Sequence, residues 1–183
     1  GNYGVNPEDI ESDRIQVAAF LLREYQATPS NFRSTGSLAD YLKSQKVLGV
    51  DDFDTRALTR HIRTAGAMRA IISTDDLDPD SLVNRVRRTP SMVGLDLAST
   101  VSTRLAYRWV DGRPVFLDKE QELDRRVWNF RGKRKSVVAF DFGIKYNILR
   151  NLTFHGFEVI VVPAATTAET VRAMEPDGIF LSN

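Results

Sequence analysis

The sequence predicts an α/β protein: a mixed α/β amino-terminal region followed by an alternating strand–helix unit with a parallel sheet. Three observations lead there. Residues 136–183 alternate short β-branched apolar runs with stretches of helical apolar spacing. The runs are separated by short breaks at Gly143, Gly156 and Pro176-Asp177-Gly178, which implies right-handed crossovers between parallel strands. Upstream, helix-capping residues, strand-like runs and a hairpin signal are interspersed without any internal repeat.

Taken in order, Gly1–Pro7 is turn chemistry without a start methionine and reads as an internal segment. Glu8–Arg14 is charged. Ile15–Tyr25 (IQVAAFLLREY) is dense in apolar residues and reads as a buried strand; periodicity leaves a helix open as the alternative. Thr28–Thr35 is a polar loop. Ser37 should cap a helix through Leu38, Tyr41 and Leu42, with Asp40 at its third position. Asp54 should cap the next, DTRALTRHIRTAG, with Ala57, Leu58, His61, Ile62 and Ala65 as its apolar face and Gly66 as its stop. Ala67–Ser73 reads as a strand. Asp78-Pro79 opens another helix, with proline at the first helical position and Leu82, Val83 and Val86 facing inward. Ser91–Thr103 is irregular. Leu105–Val110 and Pro114–Leu117 flank Asp111-Gly112, a two-residue hairpin signal that requires positive φ. Lys119–Lys135 is a charged connector containing Trp128 and Phe130, which places a domain boundary near Gly132–Ser136 and divides the chain into 1–132 and 136–183.

In the second part, Val137–Phe142 reads as a strand buried on both faces. Ile144, Ile148, Leu149 and Leu152 follow at helical spacing, ended by Gly156. Glu158–Val162 is again strand-like. Thr166 with Glu169 forms a capping-box pattern for a helix through Val171 and Met174. Ile179–Leu181 is a third strand. In open sheets of this kind the ligand crevice lies outside the carboxyl ends of the strands. Asp141–Lys145, Pro163–Ala165 and Ser182-Asn183 should therefore point to one site, with Ser182 and Asn183 on its lip.

The totals narrow the chemistry. At 183 residues, 42% hydrophobic and 27% charged, the composition is that of an ordinary globular protein. A formal net charge of +1 gives no basic field for nucleic acid. The longest wholly apolar run, Val17–Leu22, is too short to span a bilayer, and no signal peptide is visible, so no membrane partner and a cytoplasmic location are expected. There is no cysteine, which removes disulfides, thiolate zinc sites and a cysteine nucleophile from these residues. His61 and His155 are too few for a histidine-rich metal site.

Several local patterns have a chemical and a plain reading. Asp141-Phe142-Gly143 matches the magnesium motif of protein kinases, but no HRD-type loop or glycine-rich loop accompanies it, so a strand turning through Gly143 into a helix is the better account. G-x-G-x-x-G is absent, leaving a dinucleotide site unsupported. Asp51, Asp52 and Asp54 read as a cap and first-turn acids rather than a metal cluster. Arg56, Arg60 and Arg63 share one helical face that could take an anion or an acidic partner, or simply be solvated. His61, among Leu58, Ile62 and Ala65, reads as a packed structural histidine, and His155 as the close of a helix. Arg131–Lys135 is a solubilising linker. Lys145 sits in the first turn of a helix, against the helix dipole. It is either an exposed lysine or a cation placed to pair with a carboxylate or line a polar passage.

The runs DTRALTRHIR, GLDLASTVST, AFDFGIKYNILRNL and VVPAATTAETVRAMEPDGIFLSN together resemble, in order and over essentially the whole chain, the small glutamine-hydrolysing subunit of carbamoyl-phosphate synthetases. The resemblance implies a characteristic amino-terminal domain over 1–132 that helps hold a large synthetase subunit. It implies that 136–183 begins a flavodoxin-like class I glutamine amidotransferase domain with a Cys-His-Glu triad. Glutamine would be hydrolysed by thiolate attack, and ammonia would pass through a tunnel to the large subunit. There it would become carbamoyl phosphate with bicarbonate and ATP, for arginine and pyrimidine synthesis; ATP and magnesium belong to that partner, and no cofactor to this chain. In the family, I-F-L-S-N runs on into a G-P-G-D-P type loop, whereas this sequence stops at Asn183 and lacks the nucleophile; the family also has an earlier segment with a glutamine-contacting serine. The expectation is a chain inactive as supplied, with no catalytic or substrate-binding residue to carry over. Lys145 matches the family lysine near the ammonia exit. The alternatives are a non-catalytic module docking to the large subunit and an unrelated flavodoxin-like phosphate-binding protein.

Overall fold

The computed structural model describes residues 2–118 and 134–182. Contacts divide the chain into two compact units, Gly1–Leu95 and Asp96–Asn183. Of the boundary expected near Gly132–Ser136, Gly132 and Lys133 lie outside the described residues, as do Trp128, Phe130 and Asn183. Each unit is taken by itself.

The amino-terminal unit contains a 3₁₀ turn at Pro7–Asp9, β1 (Ala19–Leu21), α1 (Leu38–Ser44), β2 (Leu48–Val50), α2 (Thr55–Ala65) and α3 (Pro79–Arg88). Its helices start where their caps dictate. The Asp40 N–H donates to Ser37 Oγ at 3.0 Å, and Ser37 Oγ donates to Asp40 Oδ2 at 2.7 Å. The Ala57 N–H donates to Asp54 Oδ1 at 2.9 Å, and Asp78 accepts from the Asp80 and Ser81 amides. Gly66, at φ 82°, ends α2 in a conformation that glycine adopts freely.

Two expectations fail in this unit. The strand proposed for Ile15–Tyr25 shrinks to β1 and is not buried: Val17 is 50% and Phe20 41% exposed. Its parallel partner β2 is only three residues long, pairing Ala19 with Leu48 and Leu21 with Val50, so the ladder has nothing further to extend along. Ala67–Ser73 forms no strand, because no described segment pairs with it, and Met68 and Ile72 face solvent. An apolar run becomes a strand only where a neighbour accepts its amides and covers its side chains.

The carboxyl-terminal unit holds α4 (Leu97–Val101), β3 (Tyr107–Val110), β4 (Arg113–Phe116), β5 (Ser136–Asp141), α5 (Tyr146–Phe154), β6 (Glu158–Pro163), α6 (Ala168–Ala173) and β7 (Gly178–Leu181). One sheet runs in the order β4-β3-β6-β5-β7. β5 pairs in parallel with both β6 and β7, as the alternating pattern implies. The β3–β4 hairpin turns at Asp111 (φ 49°) and Gly112 (φ 78°) and joins β6 antiparallel, so the sheet is mixed rather than wholly parallel. Ser91–Thr103 is not wholly irregular: Asp96 caps α4 by accepting the Ser99 N–H at 3.0 Å. The cap of α6 also lies one residue later than expected. The Thr166 N–H is spent on a turn to the Pro163 carbonyl at 3.0 Å, and Thr167 caps instead, accepting the Thr170 N–H at 3.2 Å.

The core follows the two-residue strand period. Val138, Ile160 and Val162 pack with Val171 and Met174 on one face. Ala139, Val159 and Val161 pack with Ile144 and Leu149 on the other. The helical segments after β5 and β6 thus cover opposite faces, and β5 is buried on both. Ser136 and Asp177 clasp the starts of β5 and β7: the Ser136 N–H donates to Asp177 Oδ2 at 2.8 Å, and the Asp177 N–H to Ser136 Oγ at 3.1 Å.

Candidate functional site

Hydrogen bonds tie the carboxyl ends of β5 and β7 together, and the turn after β6 is tied to Ser102. Asp141, the last residue of β5, is 6% exposed. Its Oδ1 accepts from the Gly143 and Ile144 amides, both at 2.9 Å, and its Oδ2 from the Thr103 amide at 2.7 Å. The carboxylate therefore builds the strand-to-helix turn, with its acceptor capacity directed at the backbone. Gly143 stands at φ 106°, which favours glycine, and a Cβ there would also sit tightly against Val101 Cγ2 at 3.3 Å.

Ser182 is 7% exposed, and its hydroxyl accepts the Phe142 N–H at 2.8 Å. It ties β7 to the β5 turn. Asn183 lies outside the described residues. Beyond β6, the Ala164 N–H donates to Ser102 Oγ at 2.9 Å. Ser102 and Thr103, which shape this end of the sheet from outside the strand–helix unit, escaped the sequence reading. Their signal in the sequence is the ASTVST stretch that follows the capping residue Asp96.

Lys145 takes the N-cap position of α5, with extended backbone (φ −79°, ψ 135°) and no side-chain cap, rather than a place in the first turn. It is exposed, and among the described residues no carboxylate pairs with it. The Asp141 carboxylate, four positions earlier, is buried and accepts three backbone amides.

The other singled-out residues lie elsewhere. His61 is exposed on α2, not packed as expected, because no residue of that helix is buried. His155 closes α5, its ring edge-on to Phe154 with centroids 5.3 Å apart. Asp51 accepts the Tyr25 and Asp52 amides at 2.7 and 2.8 Å, and Asp54 caps α2. Arg56, Arg60 and Arg63 line an open concavity of about 320 Å³ together with Thr55 and Thr59. Among the described residues no three His, Asp or Glu side chains are grouped to hold a metal ion, and no helix is long and apolar enough to cross a membrane. Near the opposite end of the sheet, amide and hydroxyl donation from Ser136 holds the Asp177 carboxyl below the usual range.

Comparison with known proteins adds the following. Residues 1–72 match the family model described as carbamoyl-phosphate synthase small chain, CPSase domain. All 183 residues align, at 50% identity, with the carbamoyl phosphate synthase small chain of Syntrophotalea carbinolica, covering 47% of that protein. Similar proteins with the same name come from Solidesulfovibrio magneticus, 49% identical with 48% covered, and from a Nostoc species, 50% identical with 46% covered; both again span the whole chain. The chain spans about half the length of the curated relatives it matches.

Proposed function

The chain belongs to the carbamoyl phosphate synthase small chain family, and from that premise we propose that it forms part of the glutamine-hydrolysing subunit of a carbamoyl-phosphate synthetase. In this reading the whole subunit splits L-glutamine into glutamate and ammonia. The ammonia travels to a large subunit, which makes carbamoyl phosphate from it with bicarbonate and ATP, for arginine and pyrimidine synthesis. Residues 1–132 act as the amino-terminal domain that holds the large subunit, and 136–183 open a flavodoxin-like amidotransferase domain. The observation that carries the reading is identity near one half running through both parts of the chain. The parallel order β6-β5-β7, with covering segments on opposite faces, also supports it.

Within that activity these residues supply scaffolding. They include no cysteine, so thiolate attack on the glutamine amide is not theirs to perform. Asp141 and Ser182 hold the turn between β5 and α5 in one shape, and that turn presents Lys145 at the lip of the ammonia passage. ATP and magnesium are assigned to the large subunit, and no step is routed through them here.

The test uses the 183-residue polypeptide and the large subunit of the same synthetase. We expect no release of glutamate from glutamine, and a measurable complex by calorimetric titration. Glutamine turnover by this cysteine-free polypeptide would sink the proposed division of labour. Absence of any complex would sink the role of residues 1–132.

A further inference from the structure

Helix α2 carries Arg56, Arg60 and Arg63 at intervals of four and three residues, which stacks them on one face. None has a carboxylate partner among the described residues: the recorded ion pairs use Arg33, Arg85 and Arg108. The helix TRALTRHIRTA contains no acidic residue to offset them, and like charges at this spacing repel and weaken a helix. Of the acids that precede the helix, Asp54 is engaged at the cap and Asp51 with the Tyr25 amide, and Asp52 makes no recorded ion pair with the three arginines.

The concavity these arginines line is bounded by one helix only, by Thr55, Arg56, Thr59, Arg60 and Arg63. Thr59 Oγ1 is already spent, donating to the Thr55 carbonyl at 2.7 Å. With no second wall and no buried polar group, the surface cannot enclose a small anion. At 1.5 Å rise per residue the guanidinium stems emerge over about 10 Å of helix axis, with about 6 Å between the first two. That matches carboxylates at the same spacing on a facing helix, each able to take a guanidinium fork bidentately. Nucleic acid is a poorer match, since three arginines neutralise few phosphates and the chain as a whole carries only +1.

We propose that the Arg56–Arg60–Arg63 face of α2 is a docking surface for an acidic protein helix bearing carboxylates at i, i+4 and i+7. The proposal does not depend on the family reading, which gives residues 1–132 as a whole to the large subunit and no role to these three arginines.

The test titrates the 183-residue chain with an alanine-based helical peptide carrying glutamates at i, i+4 and i+7, and separately with single-stranded DNA of equal charge. Both are followed through the α2 amide resonances at about 20 and 300 mM salt. The expected result is peptide binding centred on residues 56–63, weakened at least about tenfold by the salt increase. The variant R56Q/R60Q/R63Q should lose it by a similar factor, and R56K/R60K/R63K should retain only part. Glutamine is nearly as good a helix former as arginine, and circular dichroism of the variant confirms that α2 persists. Equal binding by the glutamine variant, no perturbation of α2 at low salt, or tighter binding of the DNA would each overturn the proposal.

Discussion

In the carboxyl-terminal unit Val138, Ala139, Ile160 and Val161 are wholly shielded from solvent, whereas Leu42 is the one buried apolar side chain described in residues 2–95. Both stretches have caps, turns and apolar runs of similar quality. They differ in sheet partnership. β5 has a parallel neighbour on each side and a covered surface above and below, while β1 has a single short partner. Local chemistry starts helices in both units, but only non-local pairing converts apolar sequence into shielded volume. The long-range side-chain contacts described in the amino-terminal unit are instead largely polar and exposed. Examples are the bridge of Arg33 to Glu8 and Asp9, both at 3.1 Å, and the donation of Arg69 to the Arg87 and Thr89 carbonyls.

Core truncation is the strongest way to break this contrast. Leu149 is 0% exposed beneath β5 and β6, so Leu149→Ala should cost about 2–5 kcal/mol, while Leu58→Ala on the half-covered face of α2 should cost about 1 kcal/mol or less. Chemical denaturation of the two variants measures both, and equal losses would erase the distinction.

A smaller effect sharpens it through pH. The Asp177 carboxyl is lowered chiefly by the Ser136 amide, then by its hydroxyl. A lowered folded pKa stabilises above the unfolded value of about 3.9, and the contribution is lost as pH falls through the lower folded pKa. Asp177→Asn should therefore narrow the stability difference between pH 6 and pH 3 in melts of the chain. Asp76 and Asp96 are also lowered, chiefly by the Ser81 and Ser99 hydroxyls. Only the difference between wild type and variant isolates the clasp, and identical pH profiles would count against it.

The smallest effect is at Phe32, 96% exposed in the amino-terminal unit. Phe32→Ser should leave stability within about 0.5 kcal/mol. A larger loss would show that this unit packs more tightly than its exposures indicate.

Helix starts were the most legible part of the sequence, because a cap is a contact between a residue and an amide two or three positions on: Ser37, Asp54 and Asp78 all act where expected. β5 and β6 were legible because strands buried on both faces leave unbroken apolar runs; β7 shows a similar run although Ile179 and Leu181 are exposed. What stayed hidden depended on distance. Nothing in Ala67–Ser73 states that it lacks a pairing strand, and nothing in Leu105–Leu117 states that its hairpin joins β6. At the candidate site, Asp141 and Ser182 could be placed at strand ends, but their partners could not. Thr103 reaches Asp141 across 38 residues, and Ser182 reaches Phe142 across 40.

The attachment of β3 to β6 carries a consequence for biosynthesis. Tyr107 faces Val161 and Arg108 faces Ile160, so during translation the ribbon formed by β3 and β4 leaves the ribosome well before the edge that will receive it. Within the hairpin Tyr107 has Phe116 to pack on, whereas the Trp109 ring meets Tyr146, a residue made later. The β3–β6 pairing is therefore a contact between segments far apart in sequence, the kind whose closure slows folding.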